Sequence, residues 1–301
     1  NLAGTCVVWC DMLLPLYTCA CTSSNGCVKI RRFLRYSGCS LFRGQPGSCK
    51  GLWPNEIGVF YLFGIWFWLQ ERTAVKIKIC GVTCIEDATC VADAGADFIG
   101  FNFFSESPRC LSVDEARDIV AQLPETVMPI GLFVNMPVSQ IRSTMIRAGL
   151  KGIQLHGDED PEVVCDLKDY FVIRAFRCSQ AGLGPLDLYL RRCKRLNRLP
   201  DAVLIDAYVP GLYGGTGQSV SRALLAEGYN YKKWPKLILA GGLDPENVSE
   251  AIRLVRPWGV DTASGVEMSD QTDESPKRVR PRKDHLKIQD FVQAARRMQT
   301  K

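Results

Sequence analysis

From Val75 onward the chain alternates short apolar runs with longer amphipathic stretches, and the alternation repeats eight times. The runs fall at 75–79, 97–102, 128–134, 152–155, 171–176, 202–205, 236–240 and 259–262. Each is rich in Val, Ile, Leu or Phe on consecutive positions, as in a parallel strand covered on both faces. Helix start signals lie between them. Thr83–Glu86 and Ser112–Glu115 fit a capping box, and Asp160-Pro161 and Asp244-Pro245 each set a carboxylate before a proline suited to a first turn. Strands alternating with helices imply right-handed crossovers in an α/β fold. Eight such units in the 227 residues after position 74 match one closed (β/α)8 barrel, the rival being an open doubly wound sheet.

The preceding 74 residues are built differently. They hold seven of the 14 Cys, four of the six Trp and a net charge of +4, out of +5 for the whole chain. The apolar run at 57–69 is 13 residues, short of the roughly 20 needed to cross a bilayer. A secretory signal would start basic, yet Lys29, Arg31, Arg32 and Arg35 sit between the apolar runs. Cys19 and Cys21 stand one residue apart, and no CxxC pair or nearby His completes a tetrahedral zinc set. The first residue is Asn1 and the first methionine Met12. Residues 1–74 are therefore expected to be an extension outside the fold, from a mis-called start or read-through. The alternative is a weak interfacial anchor through Trp66, Phe67 and Trp68.

In a (β/α)8 barrel the chemistry sits at the carboxyl ends of the strands. Those positions read Cys80-Gly81, Asn102 to Arg109, Asn135, Gln154 and His156, Arg177, Asp206, Gly241-Gly242, and Ser264-Gly265. Gly turns after strands seven and eight suit a phosphate, because amides approach an anion closely there. The Gly-rich stretch 211–217 after strand six is either a lid or a mobile connection. Cys80 ends strand one beside Gly81, where nearby positive charge would favour its thiolate. Asp206 follows Val203-Leu204-Ile205, so burial would let it hold a proton near neutrality. Thiolate and carboxylic acid together are a workable pair for moving a proton along a sugar. Arg109 could clamp a carboxylate with its planar fork, and His156 could orient substrate.

These residues resemble one family. Lys78-Ile79-Cys80-Gly81-Val82-Thr83, Gly100-Phe101-Asn102-Phe103, Ser107-Pro108-Arg109 and Phe133-Val134-Asn135 are similar to motifs of phosphoribosylanthranilate isomerase. So are Gln154-Leu155-His156-Gly157-Asp158, Leu204-Ile205-Asp206-Ala207, Gly214-Gly215-Thr216-Gly217, Leu239-Ala240-Gly241-Gly242-Leu243 and Ser264-Gly265-Val266-Glu267, in family order. The resemblance implies an Amadori rearrangement of a phosphoribosyl amine in tryptophan biosynthesis, without metal or organic cofactor. It implies Cys80 as general base, Asp206 as general acid and Arg109 as the contact to the anthranilate carboxylate. Gly241, Gly242, Ser264 and Gly265 would hold the phosphate, and His156 and Asp261 match motif positions near the substrate.

Two departures stand out. Thr262-Ala263 replaces the usual Val-Ser ahead of Ser264, removing one hydroxyl, and 268–282 is longer and more basic than the family's turn and is expected to be a disordered excursion. A histidine-pathway aminoimidazole ribotide isomerase is the second enzymatic reading; Cys80 stands where that enzyme would have an Asp. A membrane-associated, non-catalytic phosphate-binding barrel is the third. The expected partner is a small phosphosugar, with no nucleic acid and no membrane, on a monomer or homodimer. Seven unpaired-looking cysteines after position 74 suit a reducing cytoplasm.

Overall fold

Each apolar run pairs with the next in chain order, and the last pairs back onto the first. The computed structural model describes residues 75–177, 182–206, 222–268 and 280–297. Within them the strands are β1 (Lys76–Cys80), β2 (Phe98–Asn102), β3 (Met128–Phe133), β4 (Gly152–Leu155), β5 (Phe171–Arg177), β6 (Ala202–Asp206), β7 (Lys236–Ala240) and β8 (Gly259–Thr262). All neighbours are parallel, and β8 pairs with β1 to close the barrel, which excludes the open sheet. The helices are α1 (Ile85–Asp93), α2 (Val113–Val120), α3 (Val138–Ala148), α4 (Pro161–Asp166), α5 (Gly184–Arg195), α6 (Arg222–Gly228), α7 (Val248–Val255) and α8 (His285–Arg297).

Side chains alternate across a strand, so each strand feeds two apolar layers. The outward set, including Ile77, Ile79, Ile99, Phe101, Ile153, Val203 and Ile205, packs against the helices. The inward set, Phe98, Ile130, Ile173, Ala175, Ala202, Leu204, Ile238 and Ala240, fills the barrel itself. Its lower end is closed by aromatic rings: Phe98 lies 5.9 Å from both Phe171 and Trp258. That plug leaves the cavity inside the barrel at the opposite end. The rule that barrel interiors are packed and not pores is met in this way.

The helix starts correct part of the expectation. Ser112 and Glu115 form the full capping box at α2. At α1 the residue before the helix is Cys84, with no side-chain cap; the Thr83 hydroxyl instead donates to the Pro281 carbonyl at 3.4 Å. Asp160 precedes α4 without capping it and pairs with Arg192 at 3.2 Å. Asp244 accepts from the amides of Glu246 and Asn247, both at 2.9 Å, so it organises a turn three residues ahead of α7. Strands β1 and β6 run one residue beyond their apolar runs, which makes Cys80 and Asp206 strand residues held in register, not loop residues. The expectations for 1–74, for the loop 211–217 and for most of 268–282 lie outside the described residues.

Candidate active site

Strand parity decides what faces the barrel mouth. On β1, Ile77 and Ile79 point to the helices, so Lys78 and Cys80 point inward. The same parity brings Asn102, Leu132, Gln154, Leu204, Asp206, Ala240 and Asp261 to the upper interior, where they line a cavity of about 800 Å³. Cys80, Arg109, His156, Asp206, Gly241, Gly242, Asp261, Ser264 and Gly265 all line it. The nine predicted site residues therefore share one space.

The β1 side is crowded with charge. Lys78 is 1% exposed, and its Nζ donates to Asp261 Oδ1 at 2.9 Å. The two are direct register partners across the β1–β8 seam. Burial pulls the Lys78 pKa down, but Asp261 and the Cys80 sulfur outweigh it, so the ammonium is kept above its ordinary range. Arg109 arrives from the loop after β2. Asn102 shapes that loop: its amide nitrogen donates to Ser107 Oγ at 2.9 Å and its oxygen accepts from the Phe104 amide at 2.8 Å. Ser107 Oγ in turn accepts from the Arg109 amide at 3.2 Å.

The Arg109 side chain then lies across Gly81, which has φ +71°; a Cβ there would run into the arginine's methylenes. Its guanidinium is held by Glu267 in a two-point pair, Nε to Oε1 and Nη2 to Oε2, each 2.7 Å. Glu267 also accepts from Lys283 Nζ at 2.8 Å. Although burial opposes it, Arg109 and Lys283 hold the Glu267 carboxyl below its usual range. A guanidinium gripped along its Nε edge keeps the Nη1 edge free for a second planar anion.

The β6 side is sparser. Asp206 ends a strand of buried Val203, Leu204 and Ile205. Asp206 itself is exposed at the cavity, not buried as its apolar run implied, because the strand ends there; partial desolvation by its surroundings still lifts its pKa, with Arg177 opposing. On β4, Gln154 is fully buried and its Nε2 sits 2.7 Å from His156 Nδ1, which makes Nδ1 the acceptor and leaves the proton on Nε2. Desolvation, reinforced by Lys78, Arg177 and Arg174, pushes the His156 pKa down to about 4. His156 is a neutral donor at physiological pH.

Two Gly-bearing turns complete the rim. Gly241 and Gly242 have φ of +94° and +58°. Gly265 opens a 3-10 turn, Ser264–Val266, and a Cβ on it would strike the Leu243 carbonyl. Thr262 Oγ1 donates to that same carbonyl at 2.6 Å. The threonine that replaces the usual residue thus staples the β7 and β8 turns together. Among the described residues no group of three His, Cys, Asp or Glu could hold a metal ion.

Lys78, Glu267 and Lys283 belong to this site and were not among the strand-end candidates read from the sequence. A lysine at alternate spacing to Cys80 inside an apolar run was the available signal for Lys78. Glu267 and Lys283 meet Arg109 from 158 and 174 positions away, and no local pattern marks them.

Comparisons with known proteins agree with this geometry. The family model for N-(5'-phosphoribosyl)anthranilate (PRA) isomerase matches residues 77–294. The N-(5'-phosphoribosyl)anthranilate isomerase of Geobacter sulfurreducens is 40% identical over 223 residues, covering 74% of this chain and 98% of that one. A crystal structure of phosphoribosyl anthranilate isomerase in complex with reduced 1-(o-carboxyphenylamino)-1-deoxyribulose 5-phosphate is 32% identical, with a TM-score of 0.58 over 73% of this chain and 98% of that one. A structure of monomers generated from the dimeric Thermotoga maritima enzyme is 30% identical, with a TM-score of 0.56 and the same coverage. The chain belongs to the N-(5'-phosphoribosyl)anthranilate isomerase family, and its barrel is an isomerase of tryptophan biosynthesis.

Proposed function

We propose that Cys80 is the general base and Asp206 the general acid of the Amadori rearrangement. Asp206 protonates the ribose ring oxygen, and the C1' to ring-oxygen bond breaks to leave an iminium at C1'. The Cys80 thiolate takes the proton from C2', and the C–H electron pair forms the C1'–C2' double bond that neutralises the iminium. The enolamine then gains a proton at C1' and loses one from the C2' hydroxyl, giving the ketone. The observation that carries this reading is that a sulfur and a pKa-raised carboxyl end two strands of one barrel and line one cavity.

Arg109 receives the anthranilate carboxylate on its free edge, and the turns at Gly241-Gly242 and Ser264-Gly265 receive the phosphate on backbone amides. His156 and Asp261 contact the sugar. No cofactor is required by these steps. The free thiols of Cys84, Cys90, Cys110, Cys165 and Cys193 support a reducing cytoplasm as the place of work. The barrel acts as a monomer or a homodimer, which sedimentation at working concentration distinguishes. Residues 1–74 take no part in the reaction.

Cys80→Ala and Asp206→Asn test the assignment. Each is expected to slow the fluorescence loss of phosphoribosylanthranilate at least roughly 10²-fold while the fold, read by circular dichroism, persists. Near-normal turnover in either variant removes that residue from its role.

A further inference from the structure

Resting on the reading of Cys80 as base, we propose that Lys78 is a positioning residue that holds the Cys80 sulfur as its thiolate from beneath the cavity floor. A Cβ built on Gly100 of β2 would lie 2.8 Å from Cys80 Sγ and 3.2 Å from Lys78 Nζ, which puts sulfur and ammonium no more than about 6 Å apart. Gly100 is the one inward position of β2 that leaves both groups their room; its neighbours Phe98 and Asn102 fill theirs. Cys80 and Asp261 line the cavity, whereas Lys78 does not. Lys78 therefore reaches the reaction only through its neighbours.

The ammonium itself demands this arrangement. A buried ammonium has three donors and needs acceptors for them. Asp261 takes one at 2.9 Å, and the Cys80 sulfur lies within about 6 Å of the same nitrogen. Other charges face the same sulfur. Arg109 comes from the β2 loop and Lys283 from the segment before α8, both paired with Glu267 as Lys78 is with Asp261. His156 and Asp206 line the same cavity, and His156 is neutral. Lys78 is the cation next to Cys80 on its own strand and face, fixed by register and not by a loop. When Cys80 accepts the C2' proton, the Lys78 ammonium keeps all its protons and only turns toward Asp261.

The pH dependence of Cys80 alkylation by iodoacetamide, read by mass spectrometry of its peptide, tests this in the full chain. Lys78→Met leaves Asp261 buried without its partner, so the charge-free K78M/D261N variant is measured beside it. Alkylation at pH 7 is expected to slow about tenfold in both, with its midpoint moved to higher pH, since reaction rate follows the thiolate fraction. K78R, which keeps the charge, is expected to recover most of the wild-type rate. kcat should fall in K78M/D261N in step with alkylation. Equal alkylation profiles in wild type and folded K78M/D261N overturn the proposal. If Cys80→Ala keeps its turnover, the base assignment fails instead, and the alkylation readout still reports the sulfur–lysine coupling on its own.

Discussion

The two sides of the cavity hold the same kind of reactive end in opposite electrical settings. Around Cys80 stand Lys78, Arg109 and Lys283, braced by Asp261 and Glu267. Around Asp206 stand Leu204 and Ala240, with Arg177 as the cation that opposes the lift in its pKa. A cation-rich wall favours an anion, and a desolvated carboxyl favours its proton. The contrast teaches that surroundings set charge: under the proposed mechanism, one barrel layer would supply a base on one side and an acid on the other.

The largest effect should come from the outer anchor of the charged wall. Asp87 on α1 is fully buried and accepts from the Lys283 amide at 2.9 Å, from His285 at 3.0 Å and from Arg282 at 3.3 Å. Asp87→Asn should cost about 3 kcal/mol in a urea titration, the scale for removing one partner of a buried charge cluster. Burial raises the Asp87 carboxyl, but these donors bring it below its usual range. Its contribution is therefore in place above about pH 4 and is lost as the pH falls through the lowered value. That acid-dependent part should vanish in the variant.

Next comes Glu267→Gln, which loosens Arg109 without touching Cys80. We expect KM for the anthranilate substrate to rise about tenfold with kcat changed much less, the pattern of lost substrate binding. An equal fall in kcat would place Glu267 in the chemical step. Arg177→Met sharpens the acid side. Removing the opposing cation should lift the Asp206 pKa further, so activity should persist to higher pH on the alkaline limb of kcat/KM, by a few tenths of a pH unit for an exposed charge. The smallest effect concerns His156. With its pKa near 4 it is already neutral, so His156→Asn should leave the shape of the pH profile between about 5 and 8 unchanged.

How much of this could be read in advance follows from the range of the interactions involved. The placement of Cys80 and Asp206 at the cavity was legible because a strand end is a local pattern and the barrel rule says which end matters. The capping box at Ser112 was legible for the same reason. The one at Thr83 was not, because the carbonyl that claims its hydroxyl belongs to Pro281, 198 positions away. Lys78 sat in plain view inside an apolar run, but its counter-ion appears only once β8 brings Asp261 alongside it. The grip of Glu267 on Arg109 needs the closure of the whole barrel to exist at all.

The crossing of Arg109 over Gly81 carries a consequence for altering what the barrel accepts. The arginine's stem occupies the volume that a side chain at 81 would need, and the glycine's missing Cβ is what leaves it that room. Shortening residue 109 would open a void over the first strand, beside the sulfur, and would let water reach it. Positions 81 and 109 therefore form a single unit of variation, and a library that diversifies one while fixing the other samples mostly leaky sites.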